Sequence, residues 1–165
     1  MTVMMRCMTE KDWPNVRCIY EQGISSGIAT FQTEVPSYEV WNAAHLTTGR
    51  LVAVVDEEVV GWVALSPTSS RCVYKGVAEL SIYIVQNAQR KGIATKLLNE
   101  LIQLSEQEGI WTLQSSIIEE NKASLALHQK CGFRQVGYRE KIARDQKGDW
   151  HNTILMERRS QVDNF

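Results

Sequence analysis

The stretch from Glu79 to Leu98 constrains this chain more than any other. Leu80, Ile82 and Ile84 alternate with Ser81, Tyr83 and Val85, a strand pattern carried by β-branched and aromatic types. Further on, Ala94, Leu97, Leu98, Leu101 and Ile102 recur at three- and four-residue steps, which is the stripe of a helix packed on a core. Gln86 to Gly92 between them is polar and basic, and Gly92 lets a backbone come close to a ligand. A strand that enters a glycine turn and then a helix makes an anion site, because free N–H groups and the positive end of the helix dipole face the turn. Neither Gly-x4-Gly-Lys-[Ser/Thr] nor Gly-x-Gly-x-x-Gly is present, so a P-loop and a dinucleotide fingerprint are both excluded.

The bulk properties narrow the class. A length of 165 residues predicts one domain with a sizeable core, spanning 1–165 with a loose tail over 159–165. Eighteen basic residues against 19 acidic ones give a net charge of -1, which is no nucleic-acid footprint. Arg90 and Lys91 form a basic spot, not a stripe. No apolar run approaches the roughly 20 residues of a membrane span, and Met-Thr-Val-Met-Met-Arg does not read as a secretory signal. Cys7, Cys18, Cys72 and Cys131 are scattered without a Cys-x-x-Cys pair, so neither a metal site nor a disulfide framework is expected. A cytoplasmic location fits free thiols best.

In chain order, Thr2 to Met8 reads as a strand. Thr9, three residues before Asp12, caps a helix whose face carries Trp13, Val16, Tyr20, Gly23 and Ile24. Gly27 to Pro36 is a loop bearing Phe31 and Glu34. Ser37 caps a second helix, closed by Gly49. Leu51 to Val55 and Val59 to Leu65 form a hairpin around Asp56-Glu57-Glu58, and Pro67 to Cys72 is loop. After the central strand and helix, Gly109 ends the latter. Trp111 to Ile117 is a strand and Asn121 to Lys130 a short helix stopped by Gly132. Phe133 to Ile142 and Trp150 to Glu157 make a last hairpin around Asp145 to Gly148. This order predicts one α/β (α+β) domain with a mixed sheet.

Three segments carry a family resemblance. Gln89-Arg90-Lys91-Gly92-Ile93-Ala94 resembles the Gln/Arg-x-x-Gly-x-Gly/Ala pyrophosphate loop of the GNAT acetyltransferases. Asn121 to Phe133 is similar to their Asn-x-x-[Ser/Ala]-x-x-Leu-[Tyr/His]-x-x-x-Gly-Phe segment. Arg71-Cys72-Val73-Tyr74-Lys75-Gly76-Val77-Ala78-Glu79 resembles the Arg-x-Ala-Tyr-Arg-x-Thr-Val-Glu of the phosphinothricin and methionine sulfoximine N-acetyltransferase branch. Ala29 to Glu34 and Lys147 to His151 fit the same branch, so the likeness runs from about Arg6 to Arg158. It implies the GNAT fold, a twisted, mostly antiparallel sheet of six to seven strands flanked by four helices. It also implies acetyl-CoA as donor, the amine of a small amino-acid-like acid as acceptor, and a homodimer with sites near the subunit contact, to which Trp150 and His151 could contribute. Lys75 stands for the usual Arg, Leu80 for a polar residue and Ala94 for the second Gly. The first two bear on substrate choice, and Ala94 suits the loop if its φ is negative.

The resemblance and the residue chemistry together assign roles. Glu79, an ionisable group inside a strand, is the expected general base, since an α-amino group is largely protonated at neutral pH. His128 is expected beside the sulfur or the acceptor, as proton donor or orienting group. The backbone of Ile82, Tyr83 and Ile84 would pair with pantetheine as an added strand. Arg90, Lys91, Gly92, Ile93, Ala94 and Thr95 would cradle the pyrophosphate. Asn121 and Ser124 would complete the cofactor groove. Phe31, Glu34, Arg71, Tyr74 and Tyr83 would bind the substrate, with the Arg71 fork on its acid group. Blander readings stand beside these: Asn121 as a plain cap, His128 as a half-buried helical histidine, Glu79 as a salt-bridge partner, the aromatics as core. A protein or peptide acetyltransferase and a non-catalytic acyl-CoA sensor are the functional alternatives.

Overall fold

The computed structural model describes residues 2–162 and 165. Seven strands form one sheet: β1 (Val3–Cys7), β2 (Leu51–Val55), β3 (Glu58–Pro67), β4 (Val77–Ile84), β5 (Thr112–Ile118), β6 (Arg134–Arg144) and β7 (Trp150–Arg159). Their order is β1-β2-β3-β4-β5-β7-β6. Every neighbouring pair is antiparallel except β4 and β5. Four α-helices accompany it: α1 (Trp13–Ser26), α2 (Tyr38–Ala44), α3 (Ile93–Gln107) and α4 (Lys122–Lys130). This matches the sheet and helices that the sequence predicts.

Strand alternation divides the core into two layers. On one face, Ala78 and Leu80 of β4 meet Ile93, Leu97, Leu98, Leu101 and Ile102 of α3. On the other, Val52, Trp62 and Ala64 pack with Val16, Ile19 and Tyr20 of α1 and Trp41 of α2. Each fully buried Leu contributes about 1.5–3 kcal/mol through its removal from water. Leu98→Ala should therefore cost about 2–5 kcal/mol, read in a melting curve as a Tm lowered by roughly 5–15 °C for a domain of this size.

The element ends depart from the sequence reading in three places. Thr9 caps a 3-10 turn (Glu10–Asp12) that leads into α1, and the Thr9 N–H donates to Asp12 Oδ2 at 2.8 Å. Arg6 grips the same carboxylate with two 2.8 Å bonds and, as the largest influence, holds it below the usual carboxylate range. Gly49 does not close α2, which ends at Ala44 with His45 as its cap; Gly49 turns the chain four residues later. The last strand reaches Arg159, the first residue of the tail expected to be loose. The Ser160 N–H donates to the Trp111 carbonyl at 2.8 Å, and the Phe165 ring sits 6.2 Å from that of Trp111. Residues 163–164, part of that expected tail, lie outside the described residues.

Candidate active site

The site begins where two parallel strands part. β4 and β5 pair over only three residues, Val77 with Thr112, Ala78 with Leu113 and Glu79 with Gln114. Beyond that point β4 stays with β3 as far as Ile84, while β5 follows β7 to Ile118. The sheet thus splits into a V with Glu79 at its vertex. A cleft of about 220 Å³ fills the gap, with Leu80 to Tyr83 on one side and Ser115 to Ile118 on the other. Main-chain groups of β4 on the gap side have no strand partner, and an extended ligand can pair with them.

Glu79 lines this cleft half-buried, on the same face of β4 as Ser81 and Tyr83. Gln114 Nε2 and Ser116 Oγ, both from β5, donate to its Oε1 at 3.3 and 3.4 Å. No donor reaches Oε2 among the described residues. One oxygen is therefore anchored and the other left for a ligand. Tyr83 lies flat against Trp62 and Tyr20, with ring centroids 4.9 and 5.1 Å away, and burial pushes its phenol up. Gly23 makes the stack possible, since a Cβ there would come within 2.6 Å of the Tyr83 ring. Ala29, Thr30 and Phe31, from the loop after α1, close the cleft on this side.

On the α4 side, Asn121 caps the helix, its Oδ1 accepting from the Ser124 N–H at 3.2 Å. Its amide nitrogen donates to no group among the described residues. His128 is 1% exposed, and its Nδ1 lies 2.7 Å from the Ser124 carbonyl oxygen. A carbonyl only accepts, so Nδ1 carries the hydrogen and Nε2 the lone pair. Nε2 is buried without a partner among the described residues. Desolvation holds this imidazole below the usual histidine range, which keeps it neutral. A neutral ring in this tautomer accepts at Nε2 and cannot donate there.

At the far end of β4, Gly92 caps α3 with φ 77°, the left-handed region that favours glycine. Its own Cβ position is open, with nothing within 4 Å. The Lys96 N–H is the first to bond back, to the Gly92 carbonyl at 3.2 Å, leaving the N–H groups of Ile93, Ala94 and Thr95 without helical partners. Ala94 lies inside the first turn of α3 and is not among the residues with positive φ, so it meets the condition set by the sequence. Arg90, at φ 64°, and Lys91 are solvent-exposed beside this turn.

Known proteins are similar to this chain in sequence and in overall fold. The acetyltransferase (GNAT) family matches residues 13–133, well over half of the chain. The chain belongs to the acetyltransferase (GNAT) family. A phosphinothricin N-acetyltransferase of Alcaligenes faecalis is 32% identical over 162 residues, covering 93% of this chain and 81% of the relative. A ribosomal-protein-alanine N-acetyltransferase from Brucella melitensis superposes with a TM-score of 0.87 at 28% identity, covering 95% of this chain and 99% of the other. A GNAT superfamily phosphinothricin acetyltransferase from Sinorhizobium meliloti, solved in complex with AcCoA, superposes with a TM-score of 0.87 at 27% identity, covering 96% and 89%.

In this acetyltransferase the structure gathers Glu79, Ile82, Tyr83, Asn121, Ser124, His128 and Phe31 around one cleft. It leaves three expected substrate contacts outside the lining. Arg71 and Tyr74 sit exposed on the turn before β4, the guanidinium 5.5 Å over the Tyr74 ring, and Glu34 is exposed on the loop between α1 and α2. Gln114, Ser116 and Thr153 are cleft-side residues that the sequence does not announce. Their strand registers place them there, and no local motif marks those registers. Among the described residues no cluster of His, Cys, Asp and Glu could hold a metal, and no helix is long and apolar enough to cross a membrane.

Proposed function

We propose that this acetyltransferase moves the acetyl group of acetyl-CoA to the amine of a small amino-acid-like acid. Acetyl-CoA, when bound, supplies the activated thioester. The observation that carries the reading is Glu79 at the vertex of the V. Glu79 shares the cleft lining with Asn121 and Ser124, the cofactor side in this reading, and with Phe31 and Tyr83, its acceptor wall. The N–H groups of Ile93, Ala94 and Thr95 would hold the diphosphate, with Arg90 and Lys91 adding charge. The main chain of Ile82 to Ile84 would pair with the pantetheine arm, and the free Asn121 amide would donate to it. One β4 N–H would polarise the acetyl carbonyl.

Glu79 takes the proton of the acceptor amine at Oε2, directly or through a water, while Gln114 and Ser116 fix Oε1. His128 fits the orienting role and not the donor role. Its Nε2 lone pair would receive an N–H from the bound amine or the pantetheine. Arg71 is the proposed contact for the acid group. Its guanidinium faces solvent on the turn leading into the Glu79 strand and has no carboxylate partner among the described residues. A second copy of the chain would cover the β6 side of the sheet, where Val136, Tyr138 and Ile142 of the edge strand β6 and Trp150 of β7 are exposed.

The protein-terminus reading draws support from the Brucella melitensis similarity, and the closed wall of Phe31 and Tyr83 speaks against it. A free-thiol assay with acetyl-CoA separates the two. Phosphinothricin and methionine sulfoximine should be acetylated and peptides with a free amino terminus should not. Turnover of peptides alone would overturn the small-acceptor reading.

A further inference from the structure

His151 is a titratable group beside the cleft that the chemistry above does not use. Alternation along β7 puts it on the same face as Thr153, whose side chain lines the cleft. Thr153 pairs with Ile118, and the Glu119 N–H donates to the Asn152 carbonyl at 3.0 Å, so the register carries His151 to Glu120. Its Nδ1 lies 3.3 Å from Glu120 Oε1, next to the helix cap Asn121. Its Nε2 lies 2.8 Å from Asp145 Oδ2 in the β6–β7 turn. Asp145 is set for this, because its Oδ1 already accepts from the N–H groups of Lys147 and Asp149. The Phe31 ring, the acceptor wall, stands 5.9 Å from the imidazole, tilted across it.

Both ring nitrogens thus face a carboxylate oxygen, an arrangement that only the doubly protonated ring satisfies at both ends. We infer that His151, as an imidazolium clamped between Glu120 and Asp145, is a positioning residue that fixes Phe31, the acceptor wall, beside the acceptor amine. The clamp links the β5–α4 loop and the β6–β7 turn, which β5–β7 pairing brings side by side, to the Phe31 loop between α1 and α2. It acts on the acceptor end of the cleft and leaves the diphosphate end, at Gly92, untouched. The inference rests on the small-acceptor reading for its substrate and on geometry for its mechanism.

The charges around the ring fix the direction of its pH response. Asp145 faces it from the turn and Glu120 from the β5–α4 loop, while the α1–α2 loop presents only the uncharged Phe31. Glu119 is engaged by the Tyr138 hydroxyl and the Asn152 amide, with Lys122 nearby, and Arg144 lies over Trp150. The Asp145 hydrogen bond is the largest influence and raises His151 above the ordinary histidine range. A group raised on folding holds its contacts fully below its ordinary value and loses them as pH climbs through the raised one.

Steady-state kinetics with methionine sulfoximine as acceptor test this. At about pH 6.5, the ordinary histidine value, His151→Gln should raise the acceptor KM about three- to tenfold, the range for losing a part-exposed charged contact. The acetyl-CoA KM should stay unchanged and kcat within about twofold. Glu120→Gln and Asp145→Asn, which keep the histidine, should each move the acceptor KM the same way. The ratio of variant to parent KM should fall toward one as pH rises above the His151 transition. An unchanged acceptor KM, a parallel rise in the acetyl-CoA KM, or a ratio flat with pH would overturn the inference. If the parent turns over no small acceptor, it is the functional reading that fails. The clamp is then judged by histidine-ring NMR, where the His151 resonance should titrate above free histidine and return toward it in the Glu120→Gln/Asp145→Asn double variant. Identical titration in parent and double variant would refute the clamp by itself.

Discussion

Glu79→Gln should lower kcat/KM by about two to four orders of magnitude, the usual contribution of a positioned general base. The substitution preserves shape and can still accept from Ser116, so the Kd for coenzyme A should stay within about twofold of the parent. The deficit should shrink as pH rises, because the acceptor amine then sheds its proton to solvent and no longer needs the carboxylate. A pH series of kcat/KM for variant and parent measures this directly. Parallel profiles with no gap at neutral pH would place the base elsewhere. A gap that stays constant with pH would mean that Glu79 positions the acceptor and does not take its proton.

The second large effect is expected at Gly92. Its φ of 77° is a conformation that β-branched side chains avoid, and no neighbouring atom stands where a Cβ would go. The cost of Gly92→Val therefore comes from the backbone and not from a clash. Held in the left-handed region, valine carries strain of about 1–3 kcal/mol. Relieved by a turn to negative φ, it swings the peptide that leads into Ile93 and misaims the three free N–H groups. Either way the Kd for coenzyme A, measured by calorimetry, should rise about 100-fold, equal to about 2.7 kcal/mol. Gly92→Asn, a residue that tolerates this region, should lose much less. Parent-like binding by the valine variant would refute the diphosphate assignment of this turn.

The two groups behind these effects were differently legible in the sequence. Gly92 stands in a contiguous strand–turn–helix signal, where periodicity and one glycine suffice to locate an anion site. Glu79 was readable as an anomaly, a carboxylate inside an apolar strand. That it occupies the last paired position before the strands part was not readable, because pairing extent depends on what each strand finds on its other side. Gln114 and Ser116 were missed for the same reason. They look like ordinary polar alternates of β5, and only the parallel register with β4 turns them toward Glu79. His128 was placed correctly on its helix, but its tautomer follows from a 2.7 Å contact with a carbonyl four residues back. Arg71 and Tyr74 are read as substrate contacts from their proximity in sequence to Glu79, and their exposed, stacked arrangement on the turn before β4 is set by that turn, which no local motif announces. His151 reads in the sequence, with Trp150, as a contributor to a subunit contact; that its ring lies between Glu120 and Asp145 comes from the β5–β7 register and the β6–β7 turn.

The strand order has a consequence for how the enzyme is made. β7, the last strand synthesised, inserts between β5 and β6, and it supplies seven of the rungs that satisfy β5. Until β7 is in place, β5 therefore has an unpaired flank and only three rungs to β4. A polypeptide stopped short of Trp150 would expose an apolar edge prone to sticking to its neighbours. Catalytic competence in this architecture waits for β7, the strand that joins β5 to β6.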